Sequence, residues 1–138
     1  MADKKTLTFL LMDPPYENAN TTTAMRLIDI ALTKGHDINV FTYEGAVALT
    51  FAQQKAHPSA VHGRATPEEE AHPLPKDWVA ALFKKAEKTG SKIEWVNCGL
   101  CVDERGVGEV IPGVKRGSPA DFLKAANASI NTLVIATK

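Results

Sequence analysis

Thr6-Leu-Thr-Phe-Leu-Leu-Met12, ended by Asp13-Pro14-Pro15, and Asp37-Ile-Asn-Val-Phe-Thr-Tyr43 frame the stretch that decides the fold. The first run is apolar on both faces, the pattern of a central strand in a sheet covered on two sides. The two prolines remove ladder donors and end it. Between the runs, Ala24, Leu27, Ile28, Ala31 and Leu32 fall on one stripe, which predicts a helix over Thr21 to Lys34. Asn20 or one of the following threonines is placed to cap it, and Gly35 to close it in a left-handed turn. A strand, a crossover helix and a second strand imply parallel pairing with a right-handed connection.

Working outward, a second helix is expected over Glu44 to Gln54, with Ala46, Val47 and Leu49 as its apolar contacts. Lys55 to Pro75 holds four prolines and the acidic run Glu68-Glu-Glu70, and reads as a long surface loop with one helical turn. Lys76 to Thr89 is amphipathic through Trp78, Val79, Leu82, Phe83 and Ala86, and Gly90 stops it. Ile93-Glu-Trp-Val-Asn97 is the third strand. Ser118-Pro-Ala-Asp121 is a helix start, with that helix running to about Ala126. Asn131 to Thr137 closes the sheet. The whole of 1–138 is expected to form one α/β domain, a three-layer sandwich with a mostly parallel sheet flanked by helices.

The 16 basic and 16 acidic side chains cancel to a formal net charge of +0, which gives no electrostatic case for nucleic acid or an anionic membrane. No stretch approaches the roughly 18 apolar residues that span a bilayer. The first residues lack the apolar core and cleavage site of a signal peptide, so a cytoplasmic location is expected. Thiols stay reduced there, and the two cysteines are then catalytic or metal-binding rather than a structural disulfide.

Those cysteines are Cys98-Gly-Leu-Cys101, directly after the third strand. A thiol entering a helix start is favoured as thiolate by the backbone amides there. Two buried thiols merely packing in the core is the plain alternative. A thioredoxin-type dithiol would follow the first long strand rather than the third. A zinc site needs two more ligands, and His57, His62 and His72 have no standard spacing for it. A persulfide carrier needs one accessible, activated cysteine. Arg105, one turn beyond Cys101, offers a cation to a thiolate or a salt bridge to Asp103 or another acid. Asp13-Pro14-Pro15-Tyr16 shares the carboxyl edge of a parallel sheet with Cys98, so Tyr16 and Asn18 are candidates to line the site, with Gly99. No Gly-x-Gly-x-x-Gly pattern follows the first strand, and no dinucleotide is expected.

Several stretches in order carry a family resemblance: Asp13-Pro-Pro-Tyr16 with Asn20 and Ala24-Met-Arg-Leu27, Lys34-Gly-His-Asp-Ile-Asn-Val-Phe41, Glu44-Gly-Ala-Val47, and Val96-Asn-Cys98 ahead of Arg105-Gly106. Together they resemble the DsrE/DsrF-like family of sulfur-trafficking proteins, TusD-like sulfur-relay members included. The resemblance implies a flavodoxin-like fold and a cytoplasmic sulfurtransferase or sulfur carrier with no cofactor. It also implies protein donors and acceptors with reactive cysteines, and association as a homotrimer or homohexamer. On that alignment Cys98 carries the persulfide and Arg105 is the family's downstream arginine, a catalytic neighbour. Cys101 stands where many members have a small residue, and its expected catalytic part is either to resolve the persulfide as a disulfide or to tune Cys98. A non-catalytic assembly subunit of the same fold, and a dithiol redox or metal-binding module, are the competing implications.

Overall fold

A computed structural model describes residues 3–16, 18–58 and 63–137. In chain order the elements are β1 (Thr6–Leu11), α1 (Asn20–Thr33), β2 (Asp37–Thr42), a 3-10 helix (Glu44–Thr50), α2 (Thr66–Glu70) and α3 (Pro75–Thr89). They continue with β3 (Ile93–Cys98), α4 (Gly99–Glu104), β4 (Val114–Gly117), α5 (Pro119–Asn127) and β5 (Asn131–Ile135). The five strands form one sheet in the order β4-β3-β2-β1-β5 with every pairing parallel.

Strand alternation divides the interior in two. Leu133, Phe9, Val40, Trp95 and Val114 form one register row across the sheet. They belong to the main core with Ala24, Met25, Ile28 and Leu32 of α1 and Val79, Leu82 and Ala86 of α3. Each fully buried aliphatic side chain there contributes roughly 1.5–3 kcal/mol. The next row, Leu10, Phe41 and Val96, points to the opposite face and packs with Phe122 of α5, Val47, Cys98 and Cys101. The three-layer α/β expectation therefore holds, and the apolar runs of β1 and β2 reflect burial on both sides.

Several details differ from the sequence reading. The segment after β2 is a 3-10 helix that stops at Thr50. The amide of Gln54 donates to the carbonyls of Ala48 and Leu49 at 2.7 and 2.9 Å, and its oxygen accepts the Lys76 N–H, so this side chain joins the helix end to the start of α3. The one helical turn expected between Lys55 and Pro75 is α2. Asn20 and the threonines do not cap α1; Ala19 holds the N-cap position without a side-chain bond, because Asn20 is turned toward Asp13. Gly35 does close α1 with φ at 82°, and the amides of Gly35 and His36 return to Leu32 and Ala31. The sequence reading left β4 unassigned. Four residues, two of them charged and bracketed by Gly113 and Gly117, carry no alternation, and the strand is fixed by pairing with β3 on its single inner side.

Candidate functional site

Cys98 is the last residue of β3 and the N-cap of α4. Its orientation follows from its neighbour. Asn97 accepts from the Thr42 hydroxyl at 2.5 Å and donates to that of Thr50 at 3.0 Å, a buried network that pins one face of β3. Alternation then turns Cys98 to the α5 side, where it is 2% exposed. Across the ladder its register partner is Gly117, and the residue before that is Arg116. The Arg116 guanidinium lies across Gly99: a Cβ at Gly99 would sit 2.6 Å from its Nε, so a larger residue would push the guanidinium aside. From there Arg116 grips Asp103 of α4 with two bonds of 2.8 and 2.6 Å. The pairing holds the Asp103 carboxyl below its usual range and pushes Arg116 up, with the charge of Cys98 a further, smaller cause of the Arg116 shift. The cation nearest the turn that follows Cys98 is thus Arg116, laid across Gly99.

Cys101 is 4% exposed, at the third position of α4. Its sulfur accepts the backbone N–H of Glu44 at 3.1 Å. Burial pushes its thiol up to about 11, helped by a hydrogen bond with Cys98, while the Glu44 amide pulls the other way. At neutral pH Cys101 is a protonated thiol. Arg105 does not turn to the sulfurs: it pairs with Glu44 at 2.5 Å and more loosely with Glu104 at 3.9 Å, the ion-pair alternative of the sequence reading with a different acid. Gly106, at φ 60°, ends α4 with the amide of Val107 bonded back to Val102.

The loop after β1 divides. Asp13 is 3% exposed and accepts the side-chain amides of Asn18 and Asn20, each at 2.9 Å. Pro14 packs against Gly45, where a Cβ would meet it at 2.9 Å. Asp13, Asn18, Glu44, Arg105, Val107 and Thr137 line a cleft of about 920 Å³ on the carboxyl edge of the sheet. Asn18 therefore shares a wall with Arg105, its amide directed to Asp13. Tyr16 is 52% exposed, stands edge-on to His57 at 6.4 Å, and lines a different cavity with Arg64, His72 and Trp78. The expected site thus gathers Cys98, Gly99, Cys101 and Arg105, with Asn18 at its margin and Tyr16 apart.

A model of the DsrE/DsrF-like family matches residues 5–135, nearly the whole chain. The chain belongs to the DsrE/DsrF-like family. Among solved structures it is similar to the crystal structure of the ychN protein from E. coli, with a TM-score of 0.70, 94% of this chain and 98% of that one covered, and 16% identity. That likeness is one of fold. No curated protein matches the chain in sequence.

Within this DsrE/DsrF-like domain both cysteines are free thiols. Among the described residues no group of three or more His, Cys, Asp or Glu is arranged to hold a metal, and His62 lies outside them. No helix among them is long and apolar enough to cross a membrane. The six-residue α4 offers Cys98 no capping hydrogen bond, so the amide stabilisation expected from the sequence is not what surrounds this sulfur. It packs instead with Phe41, Val47 and Cys101 in the smaller buried cluster, with Arg116 against the adjoining Gly99. Sequence reasoning missed Arg116, Asp103 and Glu44 as parts of the site. The available signal was Val114-Lys-Arg-Gly117 directly ahead of the Ser118-Pro119 helix start, the position of a fourth strand end on the same sheet edge.

Proposed function

We propose that the protein is a sulfur carrier that takes sulfane sulfur on Cys98 as a persulfide and passes it to a partner thiol. The observation that carries this reading is the placing of Cys98 at a strand end, with the Arg116 guanidinium lying across the next residue, Gly99, in a DsrE/DsrF-like domain. The Cys98 thiolate attacks the outer sulfur of a donor persulfide. The donor S–S bond breaks, its electron pair leaves with the donor thiolate, and a new S–S bond forms on Cys98. The hydrogen of the transferred sulfur stays on it, and no net oxidation occurs. An acceptor thiolate then repeats the attack on Cys98–S–SH and releases the Cys98 thiolate. Arg116 favours the Cys98 thiolate that attacks the donor and that leaves when the acceptor takes the sulfur.

Cys98 is nearly closed to solvent, so a partner must open the start of α4, where Arg116 lies across Gly99, to reach it. The Arg116–Asp103 pair is itself 57% and 59% exposed, which makes it a weak, salt-screened contact to open. Donor and acceptor are proteins with reactive cysteines, in a reducing cytoplasm. Leu123, Ile130 and Val134, all exposed along α5 and β5, support burial of that flank against further copies of the chain, as a homotrimer or homohexamer.

Incubation with a low-molecular-weight persulfide, followed by an excess of acceptor thiol, tests the reading. The intact protein should gain one sulfur atom and lose it on the chase. Absence of any gain refutes it. A second reading, a non-catalytic assembly subunit, is favoured by the burial of both cysteines at 2% and 4%. Alkylation of Cys98 no faster than that of a free model thiol at neutral pH would select it.

A further inference from the structure

Glu44 is one of two non-glycine residues among those described with a left-handed backbone; its φ is 52°. It stands at the turn from β2 into the 3-10 helix, where the first amides have no partner within the helix. A non-glycine residue holds such a φ only where its surroundings fix it. Two contacts do so here. Its backbone N–H is directed onto the Cys101 sulfur at 3.1 Å, and its carboxylate is held by Arg105 at 2.5 Å. The next residue, Gly45, is seated on Pro14, which leaves the turn little room to relax. Arg105, Glu44 and Cys101 therefore lie in one chain of contacts, and Cys101 shares a small buried cluster with Cys98, three residues before it at the start of the same helix.

Resting on the sulfur-carrier reading, we infer that Cys101 is a positioning residue: its S–H donates to the Cys98 sulfur while its own sulfur is polarised by the Glu44 N–H, and the Arg105–Glu44 pair sets that amide. This assigns Cys101 to holding negative charge on Cys98 rather than to attacking it. The direction of the Cys101 shift fits, since a group kept protonated at neutral pH donates and does not compete as nucleophile. It also gives Arg105 a task although its guanidinium faces away from the sulfurs. The other charged or titratable groups around the pair are Arg116 from β4, Asp103 and Glu104 from α4, Tyr43 from the end of β2, and Asp121 against Gly117 from α5. All of them stay unchanged in the variants below.

The test is the pH–rate profile of Cys98 alkylation by iodoacetamide, read by peptide mass, on wild type, Cys101→Ala, Cys101→Ser and Arg105→Met. Removing the donor in Cys101→Ala should lower the neutral-pH rate by roughly three- to tenfold, the size of one hydrogen bond, and move the profile to higher pH. Cys101→Ser keeps a donor and an acceptor and should restore most of the rate. Arg105→Met should move the profile the same way by less, and these last two variants carry the test should Cys101→Ala fail to fold. An unchanged profile in Cys101→Ala or, in its place, in Arg105→Met overturns the inference, and so does a Cys101→Ser profile moved as far as that of Cys101→Ala. So does conversion of the loaded wild-type protein to a Cys98–Cys101 disulfide with release of sulfide, which would make Cys101 an attacking thiol. Sulfur loading measured on the same samples separates the two claims. A wild type that takes no sulfur sinks the carrier reading, whereas a wild type that loads normally beside a Cys101→Ala variant with an unmoved profile sinks only this one.

Discussion

Two strands end side by side on this sheet, and each runs directly into a helix. β4 leads into α5 through Ser118, with Pro119 first and Asp121 third in the helix; β3 leads into α4 through Cys98, with Gly99 first and Cys101 third. Both turns therefore place a capping residue and a third-position residue opposite one another. At the α5 start the Asp121 carboxylate accepts the Ser118 N–H at 2.8 Å, and the pair satisfies its own helix end. At the α4 start the two positions are thiols, neither of which caps the helix. One is bonded to a distant amide, and the other is followed by a glycine across which an arginine from the neighbouring strand lies. The same local geometry holds a capping pair in one turn and two uncapped thiols in the other.

That contrast can be broken from either side. The largest effect is expected from Arg116→Met, which removes the cation beside the Cys98–Gly99 turn; sulfur loading and Cys98 alkylation at neutral pH should both fall severalfold, and added salt, which slows the wild type, should lose its influence. Kinetic traces at two ionic strengths check both parts. Gly99→Ala should act in the same direction but less, since the new Cβ displaces the guanidinium by crowding its Nε without removing the charge. The same alkylation assay reads it. Because Cys101 titrates from an ordinary 9.0 up to about 11 in the folded protein, the unfolded chain releases that proton first. Stability should then fall as pH rises between those two values, a loss absent from Cys101→Ser and visible in denaturant melts across that window. Smallest, and confined to the structural turn, Asp121→Ala should cost roughly 1 kcal/mol of stability with Cys98 reactivity unchanged.

The two turns were also unequally legible. Ser118-Pro-Ala-Asp121 announces its helix because every residue in it has a local backbone role. The same is true of Gly35, Gly90 and Gly106, whose positive φ values close three helices. The apolar runs of β1, β2 and β3 could be read because burial on both faces leaves a compositional mark. The position of Cys98 at a strand end followed from that. What surrounds it did not. Arg116 reaches Cys98 only through the pairing of β4 with β3, and β4 is a four-residue edge strand whose charges hide it. Glu44 is distant from Cys101 in sequence and contributes through its backbone, which no side-chain pattern records. Arg105 was visible as a cation near the pair, but its partner was set by the fold of the β2 turn.

The central claim is that Cys98 is the sulfur-bearing atom. It is tested most directly by treating wild type, Cys98→Ala and Cys101→Ala with the same persulfide donor, digesting each, and locating the added sulfur by peptide mass. The account predicts one extra sulfur on Cys98 in the wild type, a slower but still Cys98-borne gain in Cys101→Ala, and none in Cys98→Ala. Undiminished loading of Cys98→Ala, with loss in Cys101→Ala, would contradict it.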